Sequence, residues 1–124
     1  MTSRADHEQA EQSLLSLATE DWYSLAEGAS AVYKLSPEGA IDVRPVVAAA
    51  IRSLLARGLI RLARLNVATN EEVPIPEARL SAVLENNKSW DPPSGQDPWA
   101  VSFTATQLGE QQYFAGPAER NNAR

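Results

Sequence analysis

The sequence predicts an α+β fold, mostly helical: a three-helix core, a small antiparallel pair of strands, a short helix inserted between those strands, and a C-terminal helix. Three observations carry this prediction. Apolar residues recur at spacings of three and four through the first half of the chain, the signature of helices with one buried face. The stretch "VVAAAIRSLLARGLIRL" runs as a helix, stops at Gly58 and turns directly into a strand. Much later "WAVSFT" alternates, with Trp99, Val101 and Phe103 on one side and Ala100, Ser102 and Thr104 on the other. Two strands joined by a long excursion pair antiparallel. At 124 residues the chain forms one domain, residues 1–124, able to bury its own core. Residues 1–8 and 115–124 are expected to be flexible ends.

The elements follow in order. A first helix is expected from about Asp6 to Ala18, with Leu14, Leu15, Leu17 and Ala18 as its apolar patch. Thr19 reads as the N-cap of a second helix, because Glu20 and Asp21 follow where the helix dipole favours acids. That helix places Trp22, Leu25, Ala26, Ala29, Val32 and Tyr33 on one face. "LSPEG" (Leu35 to Gly39) breaks it, and Ile41 and Asp42 lead into the third helix. Pro45 suits a first turn, where a missing N–H costs nothing. Val43, Val47, Ala50, Ile51 and Leu54 make the inward stripe, with Leu55 at its margin. Gly58 ends the helix in a left-handed turn. Leu59 to Leu65 is strand-like, and Asn66 to Pro76 reads as loop. "PEARLSAVLENN" makes a short fourth helix, "KSWDPPSGQDP" a turn-rich loop, and Thr106 caps a last helix carrying Leu108, Tyr113 and Phe114.

Composition bounds the chemistry. The chain has no cysteine, which excludes disulfides, zinc thiolates and thiol nucleophiles. Its N-terminus is polar and acidic, and no apolar run approaches a membrane span, so a soluble cytoplasmic protein without membrane contact is expected. The net charge is −5, yet residues 42–65 carry Arg44, Arg52, Arg57, Arg61 and Arg64 against Asp42 alone. A basic footprint therefore sits on an acidic body, with the acids concentrated in the first thirty residues.

The element order and two of its stretches resemble the winged-helix superfamily, in the form of a bacterial member with an enlarged wing. "VVAAAIRSLLARGLIRL" looks like a recognition helix, its closing glycine and the first wing strand. "FTATQLGEQQY" is similar to the strand-into-helix "T-x-x-G" ending of many winged-helix regulators. The resemblance covers roughly Leu14 to Phe114 and implies a three-helix core with a β-wing. Glu71–Asp97 departs from it, since an ordinary wing is a short hairpin and this one is long and contains a helix.

No catalytic set is apparent. The only histidine, His7, lies in the polar lead-in of the first helix, and no Ser/His/Asp set or metal-ligand spacing can be built around it. Neither Glu20-Asp21 nor Glu71-Glu72 has the context of an acid/base pair, and no glycine loop cradles phosphate. The residues thus predict a binding protein that is not an enzyme and holds neither cofactor nor metal.

Two binding readings remain. On the outward side of the third helix, Arg44, Ala48 and Arg52 form one row with Pro45, Ala49 and Ala56 beside it. Base readout needs polar side chains here, and only the two arginines supply them. Arg57, Arg61 and Arg64 are placed to reach phosphates, or to pair with the acids of the first two helices. The same smooth face suits a protein partner, and Trp90 stands in a loop where it can serve as an anchor. The leading expectation is a protein-binding adaptor or immunity-type inhibitor, or a homodimer, with a DNA-binding transcriptional regulator using residues 43–57 and the wing as the alternative. Convergence of the five arginines on one continuous face favours DNA; their neutralisation by acids of the first two helices disfavours it.

Overall fold

The computed structural model describes residues 4–34 and 43–122. The "LSPEG" break at Leu35–Gly39 and the lead-in at Ile41 and Asp42 lie outside the described residues. Among the described residues the fold is α+β, with five α-helices around a four-stranded antiparallel sheet.

Helix α1 (Arg4–Glu20) runs through Thr19, whose hydroxyl donates to the Ser16 carbonyl at 2.8 Å within the helix. Thr19 is therefore not the cap of the second helix. That role falls to Ser24, at the end of the two-residue strand β1 (Tyr23–Ser24). Its Oγ accepts from the Glu27 N–H at 3.1 Å, and the Glu27 carboxylate accepts from the Ser24 N–H at 2.9 Å. Ser24 wins because Glu27 three residues on returns the bond, whereas Thr19 would face Trp22. Helix α2 (Leu25–Tyr33) then buries Leu25, Gly28 and Val32. Trp22 precedes the helix instead of lying on its face, and Tyr33 is exposed.

Helix α3 (Arg44–Ala56) begins with Pro45 in its first turn. Its end follows from Gly58, which adopts φ 71°. The Gly58 N–H donates to Leu55 O at 3.0 Å and the Leu59 N–H to Leu54 O at 2.9 Å, closing the last carbonyls of the helix. Strand β2 (Ile60–Asn66) follows at once. It pairs along its whole length with β4 (Trp99–Ala105), from Ile60 opposite Ala105 to Asn66 opposite Trp99. The sheet is wider than the expected pair. Strand β3 (Glu72–Pro74) adds to the free side of β2, within the stretch read as loop, and β1 adds to β4, giving the order β1-β4-β2-β3. Both edge strands are blunted: β3 is three residues long and ends in Pro74, and the Ser24 N–H of β1 is already taken by Glu27.

Between β3 and β4 lies the inserted segment: a 3-10 turn at Glu77–Arg79, helix α4 (Leu80–Glu85) and a second 3-10 turn at Asn87–Trp90. Helix α5 (Gln107–Asn122) closes the chain and is helical beyond Ala115. Thr106 caps it, its Oγ accepting from the Gly109 N–H at 3.0 Å and donating to the Gly58 carbonyl at 2.6 Å. Gly109 lies against the Leu59 carbonyl, where no Cβ fits. The T-x-x-G stretch thus ties α5 to the turn after α3.

The core sits where α1, α2 and α3 meet one face of the sheet, with Leu14, Leu25, Val47, Ile51, Leu54 and Phe103 fully buried. At Gly28, a Cβ would stand 3.0 Å from a Leu14 methyl and 3.1 Å from the Phe103 ring, so α2 packs closely there.

Candidate functional site

The outward row expected on α3 is not an open surface. Ala48 is buried, although helical spacing turns it about 100° from Val47 and about 120° from Leu54. The inserted segment covers it. Trp90 and Leu84 are both buried and belong to the same core cluster as Ala48. The Trp90 ring is anchored by its indole N–H, which donates to the Leu84 carbonyl at 2.9 Å. Trp90 is therefore a packing residue of the insert, satisfied within the fold.

Arg44 and Arg52 are both engaged along this seam. The Arg44 guanidinium carbon stands 5.3 Å from the Trp90 ring centroid, and its Nη2 donates to Asn87 Oδ1 at 3.0 Å. Arg52 faces Glu85 at 3.5 Å, with both side chains well exposed, so this pair adds little to stability. A shallow groove of about 430 Å³ remains between them, floored by Ala48, Leu84 and Trp90. The residues of α3 that stay exposed are Pro45, Arg52 and Ala56. Of these, Arg52 alone carries a hydrogen-bond donor in its side chain.

The other three arginines point elsewhere. Arg57, at the end of α3, pairs with Glu11 of α1. Arg61 pairs with Glu72 of β3, and its guanidinium carbon lies 4.8 Å from the Trp22 ring centroid. Arg64 is exposed three residues along the same strand, on the opposite face, level with Val73 and Val101. The structure brings Arg44, Arg52 and Trp90 together along one groove, while Arg57 lines a different concavity. Three of the five arginines are matched by acids, of which Glu11 alone belongs to the first two helices; Glu72 and Glu85 come from β3 and α4.

A second concavity was not foreseen from the sequence. An open cleft of about 600 Å³ lies between the N-terminal half of α1, the end of α3 and the first turns of α5. Leu15, Leu54 and Leu59 form its floor, and Tyr113 forms one wall, fixed by a 3.0 Å hydrogen bond from its hydroxyl to Ser16 Oγ. Gln9, Gln12 and Gln112 line its rim with Glu8, Glu11 and Arg57. Its only sequence signal was the run of acids and glutamines that precedes the apolar patch of α1. The residues that hold the α3 seam, Glu85 and Asn87, carried no local signal, because they reach α3 only through the path of the insert.

Among the described residues no cluster of histidine and carboxylate side chains could hold a metal ion, and no helix is long and apolar enough to cross a membrane. Compared with known proteins, the chain matches no family model, no curated protein and no solved structure.

Proposed function

We propose that this is a non-catalytic binding protein of winged-helix-like build that acts through protein–protein contacts, as an adaptor or an inhibitor of a basic partner. The observation that carries this reading is the covering of α3. The helix that would enter a DNA groove has its outward row buried under the insert at Ala48, with Arg44 and Arg52 engaged at the seam. A groove reader needs several free polar side chains on that helix. The acidic balance of the chain, −5 overall, adds to this by opposing approach to a phosphate backbone and favouring a basic protein. The winged-helix kinship itself rests on element order, on Gly58 closing α3 and on the Thr106–Gly109 link to α5.

The alternative, a DNA-binding regulator, draws on one feature, the exposed Arg64 on the strand beside β3. An electrophoretic mobility shift with fragments of the cognate genome at low and high salt separates the two. The expected result is no retarded species at either salt concentration. A retarded species that weakens with salt, and disappears in Arg44→Ala with the fold intact, would overturn the protein-partner reading.

A further inference from the structure

We infer that the hairpin of β2 and β3 carries a self-association surface, whose occupant is a second copy of this chain related by a two-fold axis. The inference goes beyond the protein-binding reading above and does not rest on it. Alternation along the strands sorts their charged side chains onto two faces. On one face Arg61 and Glu72 pair within the chain. On the other, Arg64 stands opposite Val73 of β3 and Val101 of β4. Glu71, two residues before Val73, falls on this same face, its carbonyl accepting from the Asn66 N–H at 2.9 Å. Arg64 and Glu71 are exposed, and among the described residues neither side chain has a hydrogen-bonding or ionic partner.

These two unpaired charges are opposite in sign and lie diagonally across one pair of strands, about 7–8 Å apart. A second copy laid face to face, with the two-fold axis in the plane of contact and midway between them, sets Arg64 of each chain over Glu71 of the other. Both ion pairs form by one operation, because such a contact uses the same patch twice. Val73 stands beside that axis, so the two Val73 side chains meet between the ion pairs. Val73, and Val67 at the hairpin tip, are large apolar side chains left 44% and 49% exposed. Half-buried Trp99, opposite Asn66, borders the same patch. Charge selects the occupant: a segment of single sign would be attracted at one group and repelled at the other, whereas a second copy satisfies both. The shortness of β3 and its closing Pro74 turn association away from the strand edge and leave the face.

The patch is smaller than a standard interface, so the dimer is transient and forms in concentrated solution. Sedimentation velocity of the full chain over a concentration series tests it. The expected outcome is a reversible rise in average mass toward the dimer, reduced by added salt. Arg64→Glu should weaken association roughly tenfold, because both symmetry-related pairs turn from attraction to repulsion. Glu71→Arg should do the same. The double variant, Arg64→Glu with Glu71→Arg, restores both pairs with their signs exchanged and should return association to the parental level. Glu110→Arg makes the same charge change on α5, which follows the Ala105 end of β4, away from the hairpin tip at Trp99. It should leave association unchanged. Glu71→Arg, just outside β3, carries the test alone should Arg64→Glu disturb the sheet.

A chain that stays monomeric at every concentration would overturn the proposal. So would an association that neither single variant weakens, or one lost in both and not regained in the double variant. Retardation of duplex DNA that Arg64→Glu abolishes would assign this arginine to phosphate and overturn it as well. A monomer, or an association through another surface, leaves the protein-binding reading standing; salt-sensitive DNA retardation lost in Arg44→Ala is what removes that.

Discussion

Replacing Gly109 by alanine sets two effects of opposite sign against each other. Gly109 lies within α5, and a glycine-to-alanine change inside a helix ordinarily stabilises by about 1 kcal/mol, through propensity and a less disordered unfolded chain. Here the added methyl would overlap the Leu59 carbonyl oxygen and stand 2.8 Å from the carbonyl carbon and 3.2 Å from Cα. These are backbone atoms at the closed end of α3, so neither can swing aside. Restoring a normal carbon–oxygen separation requires α5 to retreat by roughly 1 Å or more. That retreat strains the 3.0 Å bond from the Thr106 N–H to Leu59 O and the Thr106 hydroxyl's bond to Gly58 O. Overpacking costs about 1–3 kcal/mol and a weakened hydrogen bond about 1 kcal/mol. The balance is a net loss of about 1–3 kcal/mol, near 4 °C in Tm for each kcal/mol. Urea unfolding followed by tryptophan fluorescence measures it, with Gly95→Ala as the control, since a Cβ at Gly95 meets nothing within 4 Å. A Gly109→Ala protein as stable as the parent, or more so, would refute the close-approach argument and leave only helix propensity.

Other consequences are open to measurement. Trp90→Ala removes the ring that seats the insert over Ala48 and should cost about 3–5 kcal/mol, with cleavage within residues 77–90 appearing first in limited proteolysis; undiminished stability and a protected insert would contradict it. Arg52→Ala should change stability by no more than about 0.5 kcal/mol, because its pair with Glu85 is exposed and screened, and a larger loss in a thermal melt would show that the seam depends on it. Tyr23 should ionise above the ordinary phenol value of 10.0 in a phenolate absorbance titration, because burial and then the Glu20 hydrogen bond and nearby carboxylates favour its neutral form. Since the folded protein keeps this proton longer, the stabilisation is complete below pH 10.0 and is lost as pH rises through the raised folded value. Glu20→Gln should draw the midpoint back toward 10.0, and no change would mean the carboxylate is not a cause.

What the sequence revealed depended on how local each signal was. Gly58, Pro45 and Thr106 act on their immediate neighbours, so the limits of α3 and the start of α5 could be read directly. Strands β1 and β3 could not, because two or three residues show no alternation and exist as strands only through β4 and β2. The second helix begins later than Thr19 suggests, because Thr19 and Ser24 are both acceptable caps and the reciprocal bond with Glu27 decides between them. At Ala48 the periodicity of α3 correctly located the core but could not anticipate a further layer arriving from residues 77–90. The same non-locality dispersed the arginines: their number was visible, but their partners Glu11, Glu72 and Glu85 come from three separate elements.

The blunted edges of the sheet bear on how the protein behaves when crowded. The segment Trp99–Ala105, "WAVSFTA", has no charge and no proline, the composition of a strand that recruits copies of itself into fibrils. It is placed in the interior of the sheet, between β1 and β2, and the strands outside it end in a proline on one side and a capped backbone on the other. The fold therefore holds this segment against β2 along its whole length and seals its middle, Ser102 and Phe103, with β1 on the other side, so coalescence of copies through that middle first requires a strand to part.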